Sequence, residues 1–172
     1  MRNGNMYYFA YGSNMSIARL TARVPSAVSL GCYILKQHVL KFHKSSHDGS
    51  GKCDAHFTNN EQDIIYGALY EIDPLEKPNL DKVEGLGLGY DEKTVNVIKM
   101  DEQGDKTIGA KTYFATDIDA RLKPYSWYLN HVIIGANDTE LPQHYVRKNI
   151  QSVIAIEDQN IQRDASERAI HD

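Results

Sequence analysis

The order of hydrophobic and polar residues in the first part of the chain predicts β-strands separated by turns. Residues 6–11 are a short apolar, aromatic segment that ends at Gly12, which predicts a buried strand. Residues 28–42 are rich in β-branched and aromatic side chains and predict two strands or one long bent strand. A polar loop and two further strands complete this part of the chain, at 45–52, 55–58 and 64–72.

A helical period replaces the strand pattern toward the end of the chain. Tyr125, Leu129, Val132 and Ala136 share one face of a predicted helix over 125–136. Shorter helices and two more strands are predicted elsewhere: helices at 17–23, from 73 to about 83 and from 142 to about 153, and strands at 94–100 and 107–115. Strands that come mostly before the helices predict an α+β fold, with helices beside a curled antiparallel or mixed sheet.

Length and charge limit the class of protein. The 172 residues suit one domain, placed at 1–156, followed by an acidic tail at 157–172 that carries five acidic residues against two arginines. The residues past 157 are predicted to form a solvated tail or a frayed amphipathic helix. Most of the net charge of −4 lies in this tail, so the body lacks the basic surface that nucleic acids or anionic lipids attract. No apolar segment approaches the ~18 residues of a membrane span, and residues 1–12 resemble no secretory signal. We therefore expect a cytoplasmic protein in which Cys32 and Cys53 are free thiols.

The first candidate for chemistry is the sequence Tyr11-Gly12-Ser13-Asn14, at the point where a buried strand passes into a helix. Glycine lets the backbone approach a ligand there, and the N–H groups at a helix start attract negative oxygen atoms. Ser13 and Asn14 can add side-chain donors. The alternative is an ordinary strand-to-helix turn with a capping asparagine.

The second candidate is Glu84, which precedes a glycine-rich segment with the sequence GLGLGY at 85–90. A single glutamate is most often a solvated surface group. If it lies in the mouth of a pocket beside the strand that follows, it can serve as a general base.

Histidine and cysteine residues form a third candidate, since zinc accepts all four of these side chains: His43, His47, Cys53 and His56. Their spacing completes no paired zinc motif, so solvated loop histidines are the alternative. The chain also has no phosphate-binding loop and no dinucleotide fingerprint. We therefore predict no metal and no cofactor.

Tyrosines are unusually frequent, with eleven against four phenylalanines and one tryptophan. Several lie at element ends beside the two glycine turns, where a small polar pocket would use them, although packing explains most tyrosines equally well.

Taken together, these segments resemble the γ-glutamylcyclotransferase family. Five segments carry the resemblance in order along the chain: YFAYGSNM (8–15), LDKVEGLGLGY (80–90), KTYFAT (111–116), PYSWYLNHVIIGA (124–136) and LPQHYV (141–146). The resemblance covers about residues 6–155, and the strand–YGSN–helix unit with the Glu-Gly element is its most specific part. It implies a small mixed or antiparallel β-barrel of about six strands, with flanking helices and a cavity at one end.

The resemblance also implies a reaction, the intramolecular aminolysis of a γ-glutamyl amide to 5-oxoproline and a free amine. Glu84 matches the family's catalytic glutamate, and the substrate is a small molecule bound by a monomer or a homodimer. Gly12, Ser13 and Asn14 would hold the substrate carboxylate or the oxyanion. Four tyrosines would line the cavity, with hydroxyls that orient the substrate: Tyr11, Tyr90, Tyr113 and Tyr128. Segments 43–52 and 117–124 have no counterpart in the family and are expected to set leaving-group specificity. The alternative function is noncatalytic binding of a small carboxylate in the same cavity.

Overall fold

A computed structural model describes residues 4–172, so the first three residues of the predicted domain lie outside the described part. Within this range the chain forms seven strands and five α-helices. The strands are β1 (Met6–Ala10), β2 (Val28–Lys36), β3 (His38–Ser45), β4 (Gly51–Phe57), β5 (Ile64–Ile72), β6 (Tyr90–Lys99) and β7 (Lys106–Ala115). The helices are α1 (Ile17–Thr21), α2 (Lys77–Glu84), α3 (Ser126–Asp138), α4 (Gln143–Val146) and α5 (Ile161–Arg168).

Five of the strands of residues 4–172 close into a barrel, in the order β1-β5-β2-β6-β7. All neighbours are antiparallel except β1 and β7, which pair in parallel at Tyr8 and Lys111 and close the barrel. The prediction of about six barrel strands is slightly too high, because β3 and β4 form a separate two-stranded hairpin. β2 and β3 are separate strands since the chain turns at Gln37, whose φ is 64°.

Helix α3 fixes the turn that follows β1. A 3-10 turn over Ser13–Met15 connects β1 to α1. Helix α3 packs directly on it, because a Cβ atom at Gly135 would lie 2.4 Å from the Ser16 nitrogen and 2.6 Å from Met15. The buried core beneath includes Phe9 and Leu69. Only glycine allows α3 this close to the turn, so α3 holds the YGSN segment in place.

The C-terminal segment, predicted to be a solvated tail or a frayed amphipathic helix, forms helix α5, which packs on α1 and α3. Trp127 Nε1 donates a hydrogen bond to Asp158 at 2.9 Å, and Arg19 pairs with Glu167 at 2.8 Å. The helix predicted from 142 to about 153 consists of α4 and a π-helical turn over Arg147–Gln151. Nowhere in residues 4–172 is a helix long and apolar enough to cross a membrane.

Candidate active site

An inner pocket opens at the end of the barrel where β1 meets the 3-10 turn and α2. It holds about 290 Å³ of empty space, its mouth included. All eight residues predicted for the site line this pocket: Glu84, Tyr11, Gly12, Ser13, Asn14, Tyr90, Tyr113 and Tyr128. Two residues that were not predicted for the site, Tyr8 and Cys53, line it as well. The sequence signals therefore converge on one place, while the roles of the residues stay predictions.

Glu84 reaches the pocket because it is the last residue of α2. Asp73 caps the preceding 3-10 turn by accepting a hydrogen bond from the Leu75 N–H at 2.9 Å. The helix ends at Gly85, which adopts the left-handed conformation with φ 71° and ψ 49°. Glycine reaches this conformation at little cost, so it is the usual residue just after a helix. The side chain of Glu84 is 16% exposed, so the carboxylate lies at the mouth of the pocket.

Asn14 holds the carboxylate of Glu84 in one orientation. Its Nδ2 donates to Glu84 Oε1 at 2.7 Å and to the hydroxyl of Tyr8 at 3.1 Å. Arg23 Nη1 donates to Asn14 Oδ1 at 2.9 Å and lies 3.7 Å from Glu84 Oε1. Among the side chains and backbone of residues 4–172, no group donates to Glu84 Oε2. One carboxylate oxygen is thus fixed, and the other is available to a ligand.

Gly12 is required by the close approach of the hairpin to the turn. A Cβ atom at this position would lie 2.8 Å from the Cβ and 3.1 Å from the Sγ of Cys53, and 3.5 Å from the hydroxyl of Tyr128. The 3-10 turn begins directly after Gly12, and the first N–H groups of such a turn have no partner inside it. The YGSN segment therefore presents backbone donors at the pocket.

The tyrosines form the wall of the pocket, and three of them use their hydroxyl protons within the protein. Tyr11 donates to the Tyr113 carbonyl at 2.6 Å, and Tyr113 donates to Asp81 at 2.6 Å. Tyr90 donates to the Cys53 carbonyl at 2.5 Å. The expectation that these hydroxyls orient a substrate stays a prediction; with their protons used within the protein, they offer a ligand their lone pairs. Burial raises the pKa of all three phenols above the usual value, so they stay neutral.

Comparison with known proteins identifies the family. Residues 64–148 match the model of the AIG2-like family. The chain is 30% identical over 145 residues to the γ-glutamylcyclotransferase of Mus musculus, which covers 82% of this chain and 75% of the mouse protein. The chain belongs to the γ-glutamylcyclotransferase family. The γ-glutamylcyclotransferase of Homo sapiens is 28% identical over the same shares of the two chains. This chain is accordingly an enzyme of the cyclotransferase type.

The fold agrees with this membership. A solved structure of a γ-glutamyl cyclotransferase superposes with a TM-score of 0.83, at 23% identity, and the match covers 98% of this chain and 99% of that one. The predicted α+β class, a small mixed β-barrel with flanking helices, is confirmed.

Two pocket residues of this γ-glutamylcyclotransferase family member were missed from the sequence. Tyr8 carried a usable signal, because it opens the YFAYGSNM segment. Its hydroxyl accepts from Asn14, and burial, followed by the charge of Glu84, raises its pKa above the usual value. Cys53 carried no local signal, since the hairpin β3–β4 brings it to the pocket. Its N–H donates to the hydroxyl of Tyr128 at 3.0 Å, and burial raises the pKa of its thiol to about 12.

The fold does not bring the four side chains of the zinc alternative together as one group. Cys53 lines the inner pocket, and the ligand-type side chains that cluster in the described part of the chain are His43, Asp54 and His56. Asp54 Oδ2 lies 2.7 Å from His43 Nε2 and 3.8 Å from His56 Nδ1. Its Oδ1 accepts the N–H of Ala115 at 2.8 Å. The hydrogen bonds of Asp54 therefore join β3, β4 and β7.

Proposed function

We propose that this cyclotransferase converts a γ-glutamyl amide into 5-oxoproline and a free amine, with Glu84 as general base and then general acid. The observation that carries the proposal is the position of Glu84. Its carboxylate lies at the pocket mouth with Oε1 fixed by Asn14 at 2.7 Å and Oε2 available to a ligand.

The reaction needs a proton acceptor and a proton donor at one place. The α-amine of the substrate attacks the γ-carbonyl carbon of the same molecule, so the nucleophile and the electrophile are already joined. That amine is mostly protonated at neutral pH, because its pKa is about 7.7–8.0. Glu84 takes one proton from the protonated amine, which frees the lone pair that forms the new C–N bond. It gives this proton to the leaving nitrogen as the amide C–N bond breaks, and the second proton lost by the attacking nitrogen passes to the released amine, which departs as an ammonium.

The backbone donors of the YGSN segment suit a negative oxygen. The N–H groups of Gly12, Ser13 and Asn14 would hold the substrate carboxylate, or the oxyanion that develops on the γ-carbonyl oxygen. Both roles are consistent with the close approach that Gly12 permits. The neighbouring tyrosine rings would keep water away from Glu84 and from the reacting carbonyl, which strengthens each of these interactions.

The test is the release of 5-oxoproline from a panel of γ-glutamyl substrates, followed by mass spectrometry. In Glu84→Gln the size of the side chain and the acceptor for Asn14 remain, but the base is lost. We expect kcat/KM to fall by about 10² or more, as for other general bases, with unchanged thermal unfolding. Glu102→Gln is the matched control, because Glu102 is exposed in the β6–β7 turn.

Turnover by Glu84→Gln within a few-fold of the wild type would contradict the role of Glu84. Binding of 5-oxoproline in a thermal-shift assay, without turnover of any γ-glutamyl amide, would instead favour the noncatalytic alternative.

We also propose that the enzyme works in the cytoplasm on a small-molecule substrate, as a monomer or a homodimer, without nucleic-acid or membrane partners. Cys32 and Cys53 are free thiols, the form that a reducing compartment maintains. Cell fractionation and light scattering on the purified protein test the location and the assembly.

A further inference from the structure

A second, outer pocket adjoins Glu84 and is rich in positive charge. It holds about 420 Å³ of empty space, its mouth included. It shares four residues with the inner pocket: Ser13, Glu84, Tyr90 and Tyr128. Its other lining includes four cationic side chains: Arg19, Arg23, Lys44 and Lys52. A leaving group that departs from the carbonyl beside Glu84 would therefore lie among these cations.

Three of the four cations are already compensated by an acidic partner. The nitrogen–oxygen distances are 2.8, 2.8 and 3.7 Å for the pairs Arg19–Glu167, Lys52–Asp48 and Arg23–Glu84. With one negative charge against each of these, the outer pocket keeps one uncompensated positive charge, which is on Lys44.

Lys44 is buried without an acidic partner. The residue is only 7% exposed, yet within residues 4–172 its ammonium makes no ion pair and no hydrogen bond to another side chain. The Nζ atom lies 4.7 Å above the ring of Tyr90. Burial lowers the pKa of Lys44, and the charges of Glu84, Asp117 and Asp48, none of them within ion-pair distance, oppose this effect only in part. A buried cation without a counterion is costly, so a ligand that supplies an anion is favoured.

The pairing of β3 with β4 places two lysines opposite each other. Lys44 on β3 is directly opposite Lys52 on β4, and both line the outer pocket. Like charges opposite each other destabilise a strand pair. An anion bound between the two lysines would attract both and offset their mutual repulsion.

We propose that the outer pocket is an anion subsite in which Lys44 binds a single carboxylate carried by the leaving amine. This inference rests on the proposed function, because the leaving amine is defined by the reaction at Glu84. The preferred substrates are then γ-glutamyl amino acids with a free carboxylate on the leaving residue. γ-Glutamyl amines that lack an anionic group are poor substrates. Lys44 lies in segment 43–52, which is expected to set leaving-group specificity.

Two probes of nearly equal size separate charge from shape: γ-glutamylglycine and γ-glutamylglycinamide. A hydrogen bond between charged groups contributes about 1.5–3 kcal/mol, or about 10- to 100-fold in kcat/KM. We expect the wild-type enzyme to prefer γ-glutamylglycine by this factor. Lys44→Met should reduce the preference to about threefold or less, and Lys44→Arg should retain most of it. Lys41→Met is the matched control, since Lys41 is exposed on the same strand, and it should keep the full preference.

Each result decides between named alternatives. Equal kcat/KM for both probes in the wild type would overturn the anion subsite and leave the proposed function standing. The same fold loss with both probes in Lys44→Met would also overturn it, since Lys44 would then act in chemistry. Thermal unfolding of Lys44→Met excludes misfolding as the cause, because removing one of two facing lysines should not lower Tm. No 5-oxoproline from either probe in the wild type would contradict the proposed function itself.

Discussion

Glu167 on α5 joins the C-terminal helix to the rest of the enzyme, and its neutralisation should measurably loosen that contact. Its Oε2 accepts from His131 Nε2 at 2.9 Å and from Arg19 Nη1 at 2.8 Å. His131 is fully buried, and its Nδ1 lies 2.6 Å from His171 Nε2. The hydrogen bond from His131, followed by the charge of Arg19, lowers the pKa of Glu167 from 4.5 to about 2.

The size of the effect follows from this pKa difference. A group whose folded pKa lies below its unfolded pKa stabilises the fold above the unfolded value, and this contribution is lost as pH falls toward the folded value. At 1.36 kcal/mol per pKa unit, the difference corresponds to about 3 kcal/mol at neutral pH. The Glu167 side chain is 24% exposed, and Gln retains an acceptor oxygen. We therefore expect Glu167→Gln to lower the free energy of unfolding by about 1.5 kcal/mol, or Tm by about 3–6 °C.

The assay is thermal unfolding of both proteins at pH 7, 5 and 3. The difference in Tm should be largest at pH 7 and should shrink as pH falls from 4.5 toward 2, because Glu167 becomes protonated in the unfolded chain while the folded protein still holds it ionised. Burial lowers the pKa of His131, so its protonation below about pH 6.5 should cost both proteins stability. Glu157→Gln is the control, because Glu157 is an exposed residue of the same segment. Equal Tm values for Glu167→Gln and wild type at pH 7, or a difference that grows toward pH 3, would refute the reasoning.

Two further substitutions and one labelling experiment test the site. Gly12→Ala places a Cβ atom 2.8 Å from that of Cys53 and should lower the free energy of unfolding by about 1–3 kcal/mol through overpacking. Gly109→Ala is the control, because its Cβ atom would have no contact under 4.0 Å, and it should destabilise the protein far less. Equal effects of the two substitutions in chemical denaturation would count against the close approach at Gly12. Asn14→Leu removes the donor to Glu84 and should lower kcat about 10- to 100-fold, the value of a hydrogen bond to a charged group, with KM changed less. Cys53, with its pKa raised to about 12 by burial, should resist alkylation at pH 8 in the native enzyme and react once the chain is unfolded in urea; rapid native labelling would contradict its burial.

The parts of the site that could be predicted from the sequence are those with local physical causes. Glu84 and Gly85 were recognisable because a glycine ends the helix that carries the carboxylate. The YGSN turn was recognisable because glycine follows an apolar strand and precedes a helix start. The membership of Tyr11 and Tyr90 in the pocket wall followed from the family resemblance and from their places beside these two turns.

The rest depended on contacts between distant parts of the chain. Lys44 reaches the outer pocket and Cys53 the inner pocket only because β3 and β4 pair outside the barrel. No periodicity of the sequence indicates which strands a barrel includes. For a similar reason, the sequence did not decide whether the residues past 157 form a solvated tail or a helix. An acidic composition suits a solvated tail, and the helix becomes stable through Arg19 and Trp127, which lie far away in sequence.

The separation of the β3–β4 hairpin from the barrel has a consequence for evolution and engineering. The groups proposed for bond making, Glu84 and the YGSN turn, belong to the barrel and its helices, while Lys44 belongs to the hairpin. Substitutions on the hairpin can therefore alter which leaving group is accepted without disturbing the hydrogen bonds that close the barrel. Substitution at Lys44 and its neighbours on β3, with Cys53 and Asp54 of β4 retained, is a route to new selectivity on an unchanged catalytic base.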